Sequence, residues 1–175
     1  MADKTSFTPD EWARVVASPL LVGMAITAAD PSGVWGLLKE GMAGGWALVE
    51  AKQNAQASPL VKAVAEGFSD SATRTAVQQH IQSQFKGAKM PDVKAKAIGE
   101  LRAVSALLDQ KAPQDAGPFK AWLREVAQKA AEAGNEGGFL GFGGVAVSDA
   151  EKATLAEIAT ALGSPAGSGA GLAET

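Results

Sequence analysis

Between Arg14 and Asp30 the chain carries no charge, and Asp30 is its only charge before Lys39. Such a stretch has to be covered by something other than water. Val15 to Leu48 reads as two helices joined at Asp30-Pro31-Ser32-Gly33, a central hairpin on which later amphipathic helices lie. A membrane is the competing cover. The fifteen residues Val15 to Ala29 fall short of the roughly twenty needed to span one. Pro19 is also expected to end one helix near Ala17 and open another inside the run. A buried hairpin is therefore the expectation, and peripheral membrane attachment through residues 15–48 the alternative.

The apolar content suits helices. Of 175 residues 46% are hydrophobic, much of that Ala, with no Tyr and little Ile or Val, a composition that favours helix over sheet. This length fits one domain, placed at residues 1–162. Residues 163–175 are Gly, Ser, Ala and Pro for the most part, have little to bury, and are expected to be a disordered tail. The absence of cysteine excludes disulfides, thiolate metal sites, iron–sulfur clusters and cysteine nucleophiles. Met1-Ala2-Asp3-Lys4-Thr5-Ser6 lacks the basic and apolar regions of a secretory signal, so a cytoplasmic location is expected.

Punctuation then divides the chain. Thr8, Pro9 and Glu11 form an N-cap, a first-turn proline and a capping box, with Phe7 and Trp12 at the positions of a hydrophobic staple. Ser18-Pro19 repeats the cap-plus-proline pattern, and all eight prolines read as helix starts or breaks. Ser32 is expected to cap a helix to about Ala55, bearing Trp35, Leu38, Met42 and Trp46 on one face. Gly36, Gly41, Gly44 and Gly45 each weaken that helix by roughly 1 kcal/mol. Gly41 and Gly45 have the spacing that lets a second backbone or a ligand approach. Helices follow over Leu60 to Phe68, Thr73 to Phe85 and from Pro91, the last with the stripe Val93, Ile98, Leu101, Val104 or Ser105, and Leu108. Ala112 to Gly117 reads as a loop before a helix with Phe119, Trp122, Leu123, Val126 and Ala130 on its buried side. Gly134 to Gly144 is a glycine-rich apolar loop, Val145-Ala146-Val147 is suited to a few β-type hydrogen bonds, and Ser148 with Glu151 caps the last helix. This start, Val145-x-Val147-Ser148-x-x-Glu151, resembles those of tellurite-resistance-type helical bundles over these few residues, and no family follows from it. The fold expected is an all-α bundle of about seven or eight helices.

Chemistry-bearing patterns are few. Gly141-x-Gly143-x-x-Ala146 matches a dinucleotide fingerprint in spacing only, because no strand precedes it and no helix directly follows. His80, the only histidine, borders an apolar stripe with no carboxylate within a turn, so it cannot supply paired zinc ligands and reads as a boundary residue. Asp10/Glu11 and Asp149/Glu151 fall in first helical turns, where capping accounts for them. Glu132/Glu136 reads as solvated, and no Glu-x-x-His pair suggests a di-metal bundle. Neither a cofactor nor a metal is expected. From Arg74 to Lys129 the chain has ten basic and five acidic residues, and from Ala130 to Thr175 one and six. Lys86, Lys89, Lys94, Lys96 and Arg102 cluster about one helix start. With a net charge of −3 and no interleaved aromatics they read as a solvated face, and no nucleic-acid partner is expected.

What folding explains least is the Phe139-Leu140-Gly141-Phe142 segment and the glycines beside Trp35 and Trp46. Phe139, Leu140 and Phe142 read as a plug for a groove between helices, in this chain or in a partner or second copy, with a mobile lid over a small-molecule pocket as the remaining reading. The function expected is accordingly non-enzymatic: protein association, with itself or a partner, through Phe139, Leu140, Phe142, Gly41, Gly45, Trp35 and Trp46. The alternative is a carrier or sensor of an apolar small molecule held in the helical core beside Trp35 and Trp46. Under the association reading, Phe139→Ala with Phe142→Ala lowers the mass seen by light scattering and leaves the helical circular dichroism unchanged.

Overall fold

A computed structural model describes residues 2–29, 51, 52, 54, 56–135 and 147–163. Among these the chain is all-α, without a strand. A 3-10 turn Lys4–Ser6 precedes α1 (Pro9–Ala29), α2 (Pro59–Gly67), α3 (Ser71–Phe85), α4 (Met90–Lys111), α5 (Pro113–Asn135) and α6 (Asp149–Ala161). Six helices thus stand against the seven or eight expected. One is lost because the two helices expected across Pro19 are a single one. Another, expected over residues 32–55, lies outside the described residues except for the helical pair 51–52 and the non-helical Asn54.

The start of α1 forms as its sequence dictates. Thr8 N–H donates to Glu11 Oε2 at 2.8 Å, and Glu11 N–H donates to Thr8 Oγ1 at 3.4 Å. Phe7 and Trp12 stack with ring centroids 5.9 Å apart. The helix then passes Ala17 without a break, which corrects the reading of Ser18-Pro19 as a new start. Pro19 has no N–H for the carbonyl of Val15, one turn back, and a buried orphan acceptor is costly. The Ser18 hydroxyl fills that place, donating to Val15 O at 2.6 Å. The serine beside the proline is thus a replacement donor, and the helix runs on to Ala29 with both residues buried.

Continuity makes α1 the axis of the bundle. It packs most extensively on α4, then on α3, α5 and α6, with α2 at one side. Val15, Val16, Ala17, Leu21, Val22 and Ala25 have no exposed surface. Burying one Val or Leu contributes roughly 1.5–3 kcal/mol, so this helix supplies a large share of the core. By length and composition it would also cross a membrane, yet 72% of its apolar window is buried by the rest of the chain. Residues 15–29 are therefore wrapped by downstream helices, as expected of the first half of the hairpin. Its second half lies outside the described residues.

The other helices close around α1. Gly67, at the end of α2, allows a tight seat: a Cβ there would stand 3.3 Å from Val16 Cγ2. Ile98, Leu101, Val104, Ser105 and Leu108 form the buried stripe of α4. The loop expected over residues 112–117 shrinks to Ala112, because α5 starts at Pro113 and continues through Pro118. Pro118 leaves only the carbonyl of Gln114 without its helical donor, and Gln114 is exposed to water in the first turn. The largely buried Lys120 of α5 reaches back to both carboxylate oxygens of Asp109 on α4, at 2.6 and 2.7 Å. Asp115, also buried, accepts the Ala2 N–H at 2.7 Å. The cap of α6 matches its sequence, with Ser148 N–H donating to Glu151 Oε2 at 2.9 Å and Glu151 N–H to Ser148 Oγ at 3.2 Å. Ile158 and Leu162 point into the core and Leu155 lies at its edge.

Two consequences are measurable. Ser18→Ala strands the Val15 carbonyl and should cost about 1–3 kcal/mol by denaturant unfolding. In a Pro19→Ala background the same substitution should cost much less, since a residue other than proline restores the backbone donor, and a double-mutant cycle reads the difference. Separately, the Lys111 ammonium, 2.6 Å from Glu11 Oε2, and the Thr8 N–H hold the Glu11 carboxyl below its ordinary 4.5. A lowered folded pKa stabilises above the unfolded value and ceases to as pH falls through the folded one. Lys111→Met should therefore be less stable than the parent at neutral pH, and the two unfolding curves should converge as the pH drops below 4.5.

Candidate functional site

The residues assigned to association by sequence, Trp35, Gly41, Gly45, Trp46, Phe139, Leu140 and Phe142, all lie outside the described residues. So do the Gly141-x-Gly143-x-x-Ala146 spacing and Val145-Ala146.

Two lysines of the basic cluster are engaged with neighbouring helices. Lys94 pairs with Glu157 of α6 at 2.7 Å, and Lys96 donates to the Gln84 carbonyl near the end of α3 at 3.0 Å. The carboxylate pairs are also engaged in structure. Glu11 and Glu151 close capping boxes, Asp149 stands 3.4 Å from Lys152, and Glu132 accepts from Gln128 at 2.8 Å. Among the described residues no group of three or more potential ligands converges on a metal position.

His80 is half-buried at the edge of α3 and has a partner from another helix. Its Nε2–H donates to Glu100 Oε2 of α4 at 3.0 Å, and Arg14 Nε of α1 lies 3.1 Å from the same oxygen. Arg14 Nε is buried and has no aligned hydrogen-bond acceptor, so that second contact is Coulombic. The side chains of His80 and Glu100 are 13% and 14% exposed. Three helices thus meet at one carboxylate oxygen. Nothing in the local sequence could show this, since Glu100 is twenty residues from His80.

A cleft of about 360 Å³ opens between the start of α2 and the outer face of α5. Val61 and Val126 form its buried floor, Trp122 stands half-buried in its wall, and Asn54, Glu125 and Lys129 edge it. Three features of sequence build it. Ser58 caps α2, with Pro59 at the helix start, and this fixes where α2 begins beside the cleft. The spacing Trp122, Glu125, Val126, Lys129 places an aromatic, an aliphatic and two opposite charges on one helical face. Phe119, fully buried behind Trp122 with ring centroids 5.3 Å apart and planes at 55°, holds the indole from the rear. Sequence periodicity puts Trp122 among the buried residues of its helix, and a mixed apolar and charged stripe is the signal that marks it as a site residue instead.

Comparison with family models, with curated proteins and with solved structures finds no match. The cleft and the side chains around it have to be read on their own chemistry.

Proposed function

We propose that this chain is a binding protein that works by non-covalent association with a second copy or another protein. The observation that carries the reading is the half-buried Trp122 in the α2–α5 cleft, above an aliphatic floor and inside a polar edge. Interface energy concentrates in such places, where a large aromatic meets a pocket and a polar rim excludes water. Glu125 and Lys129 make that edge polar. No covalent step is assigned to the site.

A second reading rests on size. About 360 Å³ lies within the roughly 300–1,000 Å³ of small-molecule sites, so a small apolar molecule with a polar end would also suit the cleft. The two readings separate on the purified full chain. Denaturing extraction and mass spectrometry should give a clean extract under association and a stoichiometric compound under the carrier reading. Light scattering at rising concentration should show a mass above the 17.8 kDa of one chain, falling back to it in Trp122→Ala with the helical signal retained. A mass fixed at one chain together with a bound compound would overturn association.

A further inference from the structure

Helix α3 differs from its neighbours in how it is held. Of its residues only Thr73 and Val77 are buried, and Ala76, Ile81 and Phe85 are partly buried against the core. A helix of fifteen residues is marginal alone in water, so packing or polar contacts must hold it in place. Several of its polar contacts are to its own approach. Asp70 accepts from the N–H and hydroxyl of Thr73 at 2.9 and 2.6 Å, and Arg74 donates to the carbonyls of Phe68 and Ser69. These stiffen the start of α3, and the contact they make beyond residues 68–70 is the exposed Lys4 ammonium 3.8 Å from Asp70 Oδ2, which water screens.

Among the described residues two side-chain hydrogen bonds join α3 to α4. One is the exposed Lys96 ammonium on the Gln84 carbonyl, which water screens. The other is the His80–Glu100 hydrogen bond, shielded from water on both sides. Arg14 shares the same carboxylate oxygen, and this gives the cluster an asymmetry. If the histidine leaves, Glu100 keeps Arg14 as its counter-charge, and α1 and α4 stay joined. If Glu100 is lost, both partners are stranded.

We propose that α3 is a releasable strap, latched on the α1–α4 pair by His80 at Glu100, and that it opens as a unit while the rest of the bundle stays folded. Opening bares the side of α1 on which α3 lies, next to Trp12, whose indole Nε1 is buried with no hydrogen-bond partner among the described residues. No residue of 71–85 lines the α2–α5 cleft, so this inference stands apart from the proposed function.

Native-state hydrogen exchange on the full chain tests it. In the parent protein the amides of Ser71–Phe85 should exchange through an opening that leaves α1 and α4 protected. His80→Ala removes a hydrogen bond to a charged group and should speed exchange in α3 by about tenfold or more, with rates in α1 and α4 unchanged. His80→Gln, which keeps a side-chain N–H donor, should recover part of the protection. Equal protection of α3 and α1 in the parent would overturn the strap, and so would acceleration spread evenly over all helices in His80→Ala.

Discussion

The fold depends on the uncharged run of one helix, residues 15–29, being largely covered by the rest of the chain, and that in turn depends on a single hydroxyl. α1 can serve as an axis only if it is straight and continuous for its full length, because α3, α4, α5 and α6 all pack on it. Pro19 interrupts the backbone hydrogen bonding where burial is complete. In a buried helix an unfilled carbonyl costs about 1–3 kcal/mol, comparable to the burial of a Val side chain. Ser18, one residue before the proline, supplies the donor without adding bulk or charge to the core. Thr27 makes a related contact further on, donating to Gly23 O at 2.9 Å. The two hydroxyls of the uncharged run, Ser18 and Thr27, are thus turned onto the helix's own backbone, leaving its outer surface for packing.

Charge is used at the seams between helices. Lys120–Asp109 closes α4 against α5, Lys111–Glu11 joins the end of α4 to the start of α1, and Lys94–Glu157 joins α4 to α6. The excess of basic residues between Arg74 and Lys129 is partly absorbed by Lys111–Glu11 and Lys94–Glu157, whose carboxylates lie outside that segment. Most of the pairs are open to solvent and contribute little each. His80–Glu100–Arg14 is different because it is shielded, and there a hydrogen bond to a charged group carries more.

Local devices are legible in the sequence and long-range ones are not. Thr8/Glu11, Phe7/Trp12 and Ser148/Glu151 act within five residues of each other, so their geometry follows from helical spacing alone. The all-α class follows from the same punctuation and from composition. Pro19 and Pro118 mislead because a proline reports its own missing donor and not whether something else replaces it. At Pro19 the replacement is a hydroxyl, and at Pro118 water at an exposed first turn suffices. The partnership of His80 with Glu100 needs the packing of α3 on α4, and the turn between those helices, with Gly87 at φ 72°, sets a register that no side-chain pattern encodes. Sequence puts Trp122 on the right helix and in the wrong environment: period separates faces of α5, but which face meets α1 depends on α2 and α4 as well.

The cleft and the strap sit at opposite ends of one short helix. Ser58 and Val61 at the start of α2 line the cleft, while Gly67 at its end abuts Trp12 and Thr73 at the foot of α3. Nine residues make a rod of roughly 13 Å, short enough to transmit a displacement from one end to the other. Transmission requires that the rod have two positions, however, and position between two sites is no substitute for that. The seat of Gly67 on Val16 leaves little room even for a methyl group, and Leu60, Val61, Val64 and Ala65 are all buried. A helix so fixed along its length acts as a wall between its two ends, so α3 is free to lift from α1 and α4 while the floor under Trp122 stays where it is.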